Sequence, residues 1–166
     1  MDDQVLENVG RKNISKEQMI ALAPTIREAN LRTASEVIVG LPGSTYESDV
    51  ETLRTLVNAG MDRVEAYTLM LLNGAPLTAK KERMRWEFLT KYRILPRDFV
   101  ELQSGKKVLE IEEVVVGSNT LSFLEYIELR KLALLVFSVT HGVVFDPILK
   151  YIRLHKLEPF QLPYRM

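Results

Sequence analysis

The chain has 166 residues, 46% of them hydrophobic, with 22 basic residues balanced by 22 acidic ones and no cysteine. That length can bury one sizeable core, and the scattered, balanced charge offers no broad field for a nucleic-acid backbone or an anionic membrane surface. Without a thiol, disulfides, thiolate nucleophiles, Cys-ligated zinc and Cys-ligated iron–sulfur clusters are excluded from anything these residues do by themselves.

The start, Met1-Asp2-Asp3-Gln4, has neither the basic residues nor the apolar run of a signal peptide. The longest apolar stretch, 132–137, is about a third of the roughly 20 residues that cross a bilayer, so the expectation is a cytoplasmic chain with no membrane span. Asp2 or Asp3 can cap a short helix in which Val5, Leu6 and Val9 share a face; Gly10 ends it, and Arg11 follows. Ser15 and Gln18 have capping-box spacing, and Met19, Leu22, Ala23 and Ile26 recur at helical spacing, which predicts a helix over 15–29, kinked or shortened by Pro24. Val37-Ile38-Val39 reads as a short buried strand, stopped by the turn residues Gly40-Leu41-Pro42-Gly43.

A second capping spacing, Ser44 with Glu47, precedes the apolar stripe Val50, Leu53, Leu56 and Val57 and predicts a helix over 45–59. A strand over 64–71 follows, then the turn Asn73-Gly74-Ala75-Pro76. Strand, helix and strand in that order predict a parallel βαβ unit. Past Pro76 we expect a charged helix over 79–90, a break at Pro96, a β-rich run over 107–116, a helix over 122–139 capped by Ser122 and Glu125, and a last helix over 143–156 around Pro147. The change of style divides the chain into 1–77 and a C-terminal extension over 78–166.

A strand that ends in a glycine loop before a helix N-terminus can hold a nucleoside or an anion, because the backbone approaches closely and the helix presents free N–H groups. From the physics alone, a plain tight βα turn is the simpler account of Gly40 and Gly43. The lysine of a P-loop is missing, so ATP binding is not indicated.

Three pieces stand in one order: Val5-Leu6-Glu7-Asn8-Val9-Gly10-Arg11, then Ile38-Val39-Gly40-Leu41-Pro42-Gly43-Ser44-Thr45, then Tyr67-Thr68-Leu69-Met70-Leu71-Leu72-Asn73-Gly74-Ala75-Pro76-Leu77. The set resembles the C-terminal portion of the radical S-adenosylmethionine superfamily. Tyr92-Arg93-Ile94-Leu95-Pro96 and Glu112-Glu113-Val114-Val115-Val116 resemble its cobalamin-binding branch. Asn73 and Ala75 depart from the pattern of the third piece.

The resemblance implies an α/β chain: the C-terminal strands and helices of a partial (β/α)6 TIM-like barrel, with S-adenosylmethionine across the strand ends, followed by a mostly helical extension. It implies that Arg11 holds the methionyl carboxylate, that Ile38, Val39 and Gly40 pack on adenine, and that the backbone of Thr68, Leu69 and Met70 reads the adenine edge. No catalytic residue and no metal ligand is assigned. A 4Fe-4S cluster, and the cobalamin of that branch, would belong to a parent protein, because the CxxxCxxC motif has no counterpart here. Met1 falls where the family has an internal residue, which implies a reading frame beginning mid-domain. The chain would then be inactive alone. The alternatives are a non-catalytic module that pairs with a separate cysteine-bearing chain, and a small α/β domain whose loop is only structural.

Other residue types support less. His141 and His155 lack ligand spacing. Glu110 and Glu112 alternate onto one strand face, where solvation is the expectation, and Trp86 and Tyr92 read as packing anchors.

Overall fold

The computed structural model describes residues 2–29 and 31–166, without the side chains of Lys16, Ala23, Pro24, Arg27, Pro96, Arg97 and Asp98. The first helix, α1 (Asp3–Asn8), is capped by Asp2, whose carboxylate accepts the Gln4 and Val5 N–H groups. At its end the Arg11 N–H returns to the Leu6 carbonyl at 2.9 Å, and Gly10 takes the left-handed conformation this reversal requires (φ 65°). α2 (Lys16–Glu28) opens with the expected reciprocal pair: Gln18 N–H donates to Ser15 Oγ at 3.1 Å, and Ser15 N–H to Gln18 Oε1 at 3.0 Å.

β1 (Ala34–Val39), α3 (Tyr46–Ala59) and β2 (Arg63–Thr68) form the anticipated βαβ unit, with β1 parallel to β2 and Val39 opposite Thr68. The cap of α3 lies one residue later than expected: Thr45 and Ser48, rather than Ser44 and Glu47, make the reciprocal bonds. At its other end Gly60 is left-handed, with φ 84°.

The parallel sheet stops at these two strands, so the expected partial (β/α)6 barrel is overturned. Two local causes can be read from the hydrogen bonds. After Thr68 the chain leaves β1: the Leu69 carbonyl accepts from Val115 N–H and the Leu71 N–H donates to the Glu113 carbonyl, both at 2.9 Å. Residues 69–71 thereby join the antiparallel pair β3 (Leu89–Glu101) and β4 (Lys107–Gly117) as a third strand, through the bridge between Met70 and Val114. The strand expected over 64–71 is divided between two sheets. In addition, α5 (Phe123–Thr140) closes the outer edge of β2, where Thr140 Oγ1 accepts Val64 N–H at 3.1 Å and Arg130 donates to the Ala66 carbonyl at 2.6 Å.

The extension is not mostly helical either. A long hairpin occupies its first part, and β3 runs through position 96 with a register shift between Ile94 and Phe99 instead of breaking there. α4 (Lys80–Trp86) is shorter than expected and is tied to β4 by a two-pronged ion pair, Arg83 to Glu113 at 2.7 and 2.6 Å, which holds the Glu113 carboxyl down at about 2. Glu112 pairs with Arg93 instead of standing in solvent alone. Two short helices close the chain, α6 (Asp146–Leu154) and α7 (Gln161–Tyr164). One core joins both halves: Val39, Leu53, Leu56, Val57 and Val64 pack with Leu129, Leu132, Val136 and Phe160.

Candidate functional site

Loop 40–44, between β1 and α3, is clamped from four directions. Asn8 on α1 donates to the Pro42 carbonyl at 2.9 Å, and Thr120 donates to the Ser44 carbonyl at 2.7 Å. From α3, Asp49 Oδ2 accepts the Gly40 N–H at 3.0 Å and the Ser44 hydroxyl at 3.3 Å. The fourth contact is Trp86, whose ring lies under Gly43: a Cβ placed there would meet the ring at 3.6 Å and Asn8 Nδ2 at 2.7 Å. Gly43 is required by its conformation, φ 86°; in space, a Cβ would sit in ordinary contact with the ring and would displace only the Asn8 amide from its bond to Pro42.

This arrangement bears on the anion reading of the loop. The N–H groups of Gly40, Ser44, Thr45 and Ser48 already donate within the protein, to Asp49, Leu41, Ser48 and Thr45 respectively. Among the described residues the N–H groups of Leu41, Gly43, Tyr46 and Glu47 meet no acceptor within the protein, so four donors of this turn and helix start stay open to a ligand.

A cavity of about 90 Å³ lies beside the loop, between α1, β1 and α3, lined by Arg11, Ser35, Ile38, Ser48, Asp49 and Thr52 among others. It shares Asn13 and Leu56 with two open clefts of about 350 and 520 Å³ that run along α2. The small cavity alone is below the size range of ordinary cofactor pockets, whereas each of the two neighbouring clefts falls within it.

The residues singled out in the sequence are distributed as follows. Arg11, exposed, and Ile38, half-buried, meet at this cavity. Gly40 is the first residue of the clamped loop. Val39 and Thr68 face one another across the ladder but are buried: Val39 is in the main core, and Thr68 is hydrogen-bonded to the Tyr126 hydroxyl at 3.0 Å. Leu69 packs with Leu71 and Val115, and Met70 lies half-open on the antiparallel sheet. His141 stacks on Phe137 and His155 leans on Tyr151. Among the described residues no group of three His, Asp or Glu side chains could hold a metal, and no helix is long and apolar enough to cross a membrane.

Asp49 is the residue the sequence reading passed over. It is 6% exposed, and burial, opposed by its bonds to Gly40 and Ser44, pushes its carboxyl up to about 6. The signal was present: Asp49, Leu53 and Leu56 share the i, i+4, i+7 stripe that faces the core.

Fold and site together define a small mixed α/β domain with a clamped glycine loop at a strand end and a buried carboxylate beneath it. No protein-family model matches the chain, and no curated protein matches it in sequence.

Proposed function

We propose that the chain supplies part of the S-adenosylmethionine-binding surface of a cytoplasmic radical S-adenosylmethionine enzyme of the cobalamin-binding branch, and has no activity alone. The observation that carries this reading is the meeting of Arg11 and Ile38 at one cavity beside loop 40–44. A guanidinium there can pair with the methionyl carboxylate in a forked geometry, and Ile38 offers an apolar contact to the nucleoside. When bound, adenosylmethionine would supply the reactive sulfonium; this chain's residues only bind and orient it. They do not fit an iron–sulfur cluster, since no thiolate is available, and no step of cluster chemistry is assigned to them.

Titration calorimetry tests the reading. Wild-type chain is expected to bind adenosylmethionine weakly and saturably, with Kd on the order of 1 mM. Arg11→Ala should weaken binding about tenfold, roughly 1.4 kcal/mol. Equal affinity in the variant would remove Arg11 from the site, and no saturable binding by wild type would remove the cofactor reading.

A second reading, a non-catalytic module that pairs with a cysteine-bearing chain, has its own observation. Arg63 N–H donates to the Thr33 carbonyl, which sets the phase of β1: Thr33, Ser35 and Val37 turn their backbone groups to β2, while Ala34, Glu36 and Ile38 turn theirs outward. The corresponding outer edge of β2 is capped by α5, whereas among the described residues no partner meets the outward groups of Ala34, Glu36 and Ile38. An open edge of this kind is a template for another strand. Proline reads the phase directly: Glu36→Pro should leave the melting temperature within a few degrees, and Val37→Pro should lower stability by about 3 kcal/mol or more. In co-purification with a CxxxCxxC-bearing chain, Glu36→Pro should abolish the complex; a complex that survives it rules out pairing at this edge.

A further inference from the structure

A buried carboxylate is an expensive way to tie down a loop. Asp49 meets no basic side chain among the hydrogen bonds and ion pairs of the described residues; it is held only by the Gly40 N–H and the Ser44 hydroxyl, both on the same oxygen. The charged groups that share its cavity are Asp2 at the cap of α1, Arg11 beyond that helix and Glu36 on β1, so acids outnumber the single base. An asparagine could accept both bonds without a charge to desolvate. What the carboxylate adds is a pair of charge-assisted bonds whose strength depends on protonation.

We infer that Asp49 is the positioning residue of loop 40–44: ionised, it holds the loop in the shape that receives a nucleoside ligand, and protonated, it slackens that hold, so ligand affinity falls in acid. The ligand half of this inference rests on the adenosylmethionine reading; the loop half does not. The two can therefore fail separately.

Nuclear magnetic resonance and binding on the full chain test both halves. The Gly40 amide shift should titrate in wild type with a midpoint near the Asp49 value of about 6, and should lose that titration in Asp49→Asn. Exchange of the Gly40 amide at about pH 7.5 should be roughly tenfold faster in Asp49→Ala, with Asp49→Asn as the substitution that keeps the fold should the alanine fail. Adenosylmethionine affinity of wild type should drop about tenfold from roughly pH 7.5 to 5, and that of Asp49→Asn should stay level, a pattern that simple structural support would not produce. An untitrating Gly40 amide, or unchanged Gly40 exchange in Asp49→Ala, overturns the loop half. The same pH dependence in Asp49→Asn as in wild type overturns the ligand half. Failure of wild type to bind at any pH defeats the adenosylmethionine reading and the ligand half with it, leaving the Gly40 signals to decide the loop half.

Discussion

Asp49→Asn is expected to stabilise the protein at neutral pH by at most about 3 kcal/mol, the equivalent of a displacement from 3.8 to about 6 at roughly 1.36 kcal/mol per unit. The sign follows from linkage. The folded state holds the Asp49 proton more tightly than the unfolded chain does, so this group's contribution to stability is greatest below about pH 4. It is lost as pH rises towards about 6, and is flat beyond. The variant cannot ionise and should lack that slope. Glu113 does not confuse the comparison. Its carboxyl is held down, so its contribution appears as pH rises between about 2 and the ordinary value of 4.5, and is the same in both proteins. Urea unfolding at several pH values measures the difference; a variant no more stable than wild type at neutral pH would mean that the buried charge is compensated. Loop grip and global stability should also move in opposite directions across one pH window: ionisation tightens the hold on Gly40 while lowering the unfolding free energy. A tension of this kind is expected where a side chain serves a site at the expense of stability.

Phe160→Ala should be among the most damaging single changes, destabilising the chain by about 4 kcal/mol. Phe160 has no exposed surface and fills the core formed by α3, α5 and the two parallel strands, with Arg54 over its ring at 5.3 Å. Its own N–H donates to Asn58 Oδ1 at 3.1 Å, so the segment before α7 is fastened to the end of α3 as well. The loss should appear as one cooperative unfolding transition shifted to lower denaturant. A separate early transition, with the βαβ unit still folded, would instead mean that the C-terminal segment is a detachable appendage.

How far the sequence alone led can be judged from particular residues. Ser122 with Glu125 and Ser15 with Gln18 marked helix starts that the structure keeps, because a capping box is closed within four residues and needs no tertiary partner. The stripe from Val50 to Val57 placed α3 because helical periodicity is read along one segment, although its cap fell one residue later than expected. By contrast, the run from Val64 to Leu71 read as one strand, since β-branched and aromatic residues suit either sheet; only the bonds to Val115 and Glu113 show that it changes partners after Thr68. β3 was masked by Pro96, which reads as a stop in sequence yet lies within the register shift of a hairpin. Of the residues at the cavity and its loop, Arg11, Ile38 and Gly40 stood out in sequence because the helix-end and strand-end signals beside them are local. Asp49 stood at a core-facing position of its helix stripe, but that its carboxylate turns back to Gly40 and Ser44 is settled only by the folded loop.

The sequence by itself determined the caps of α1, α2 and α5, the parallel βαβ order and the absence of any thiol chemistry, all of which follow from residue identity and short-range geometry. Only the tertiary structure decided that two parallel strands stand alone, that α5 and Phe160 complete the core begun by β1 and α3, and that one carboxylate is buried beneath the glycine loop. Those outcomes depend on which distant groups satisfy a strand's outer hydrogen bonds, and no periodicity along the chain records that.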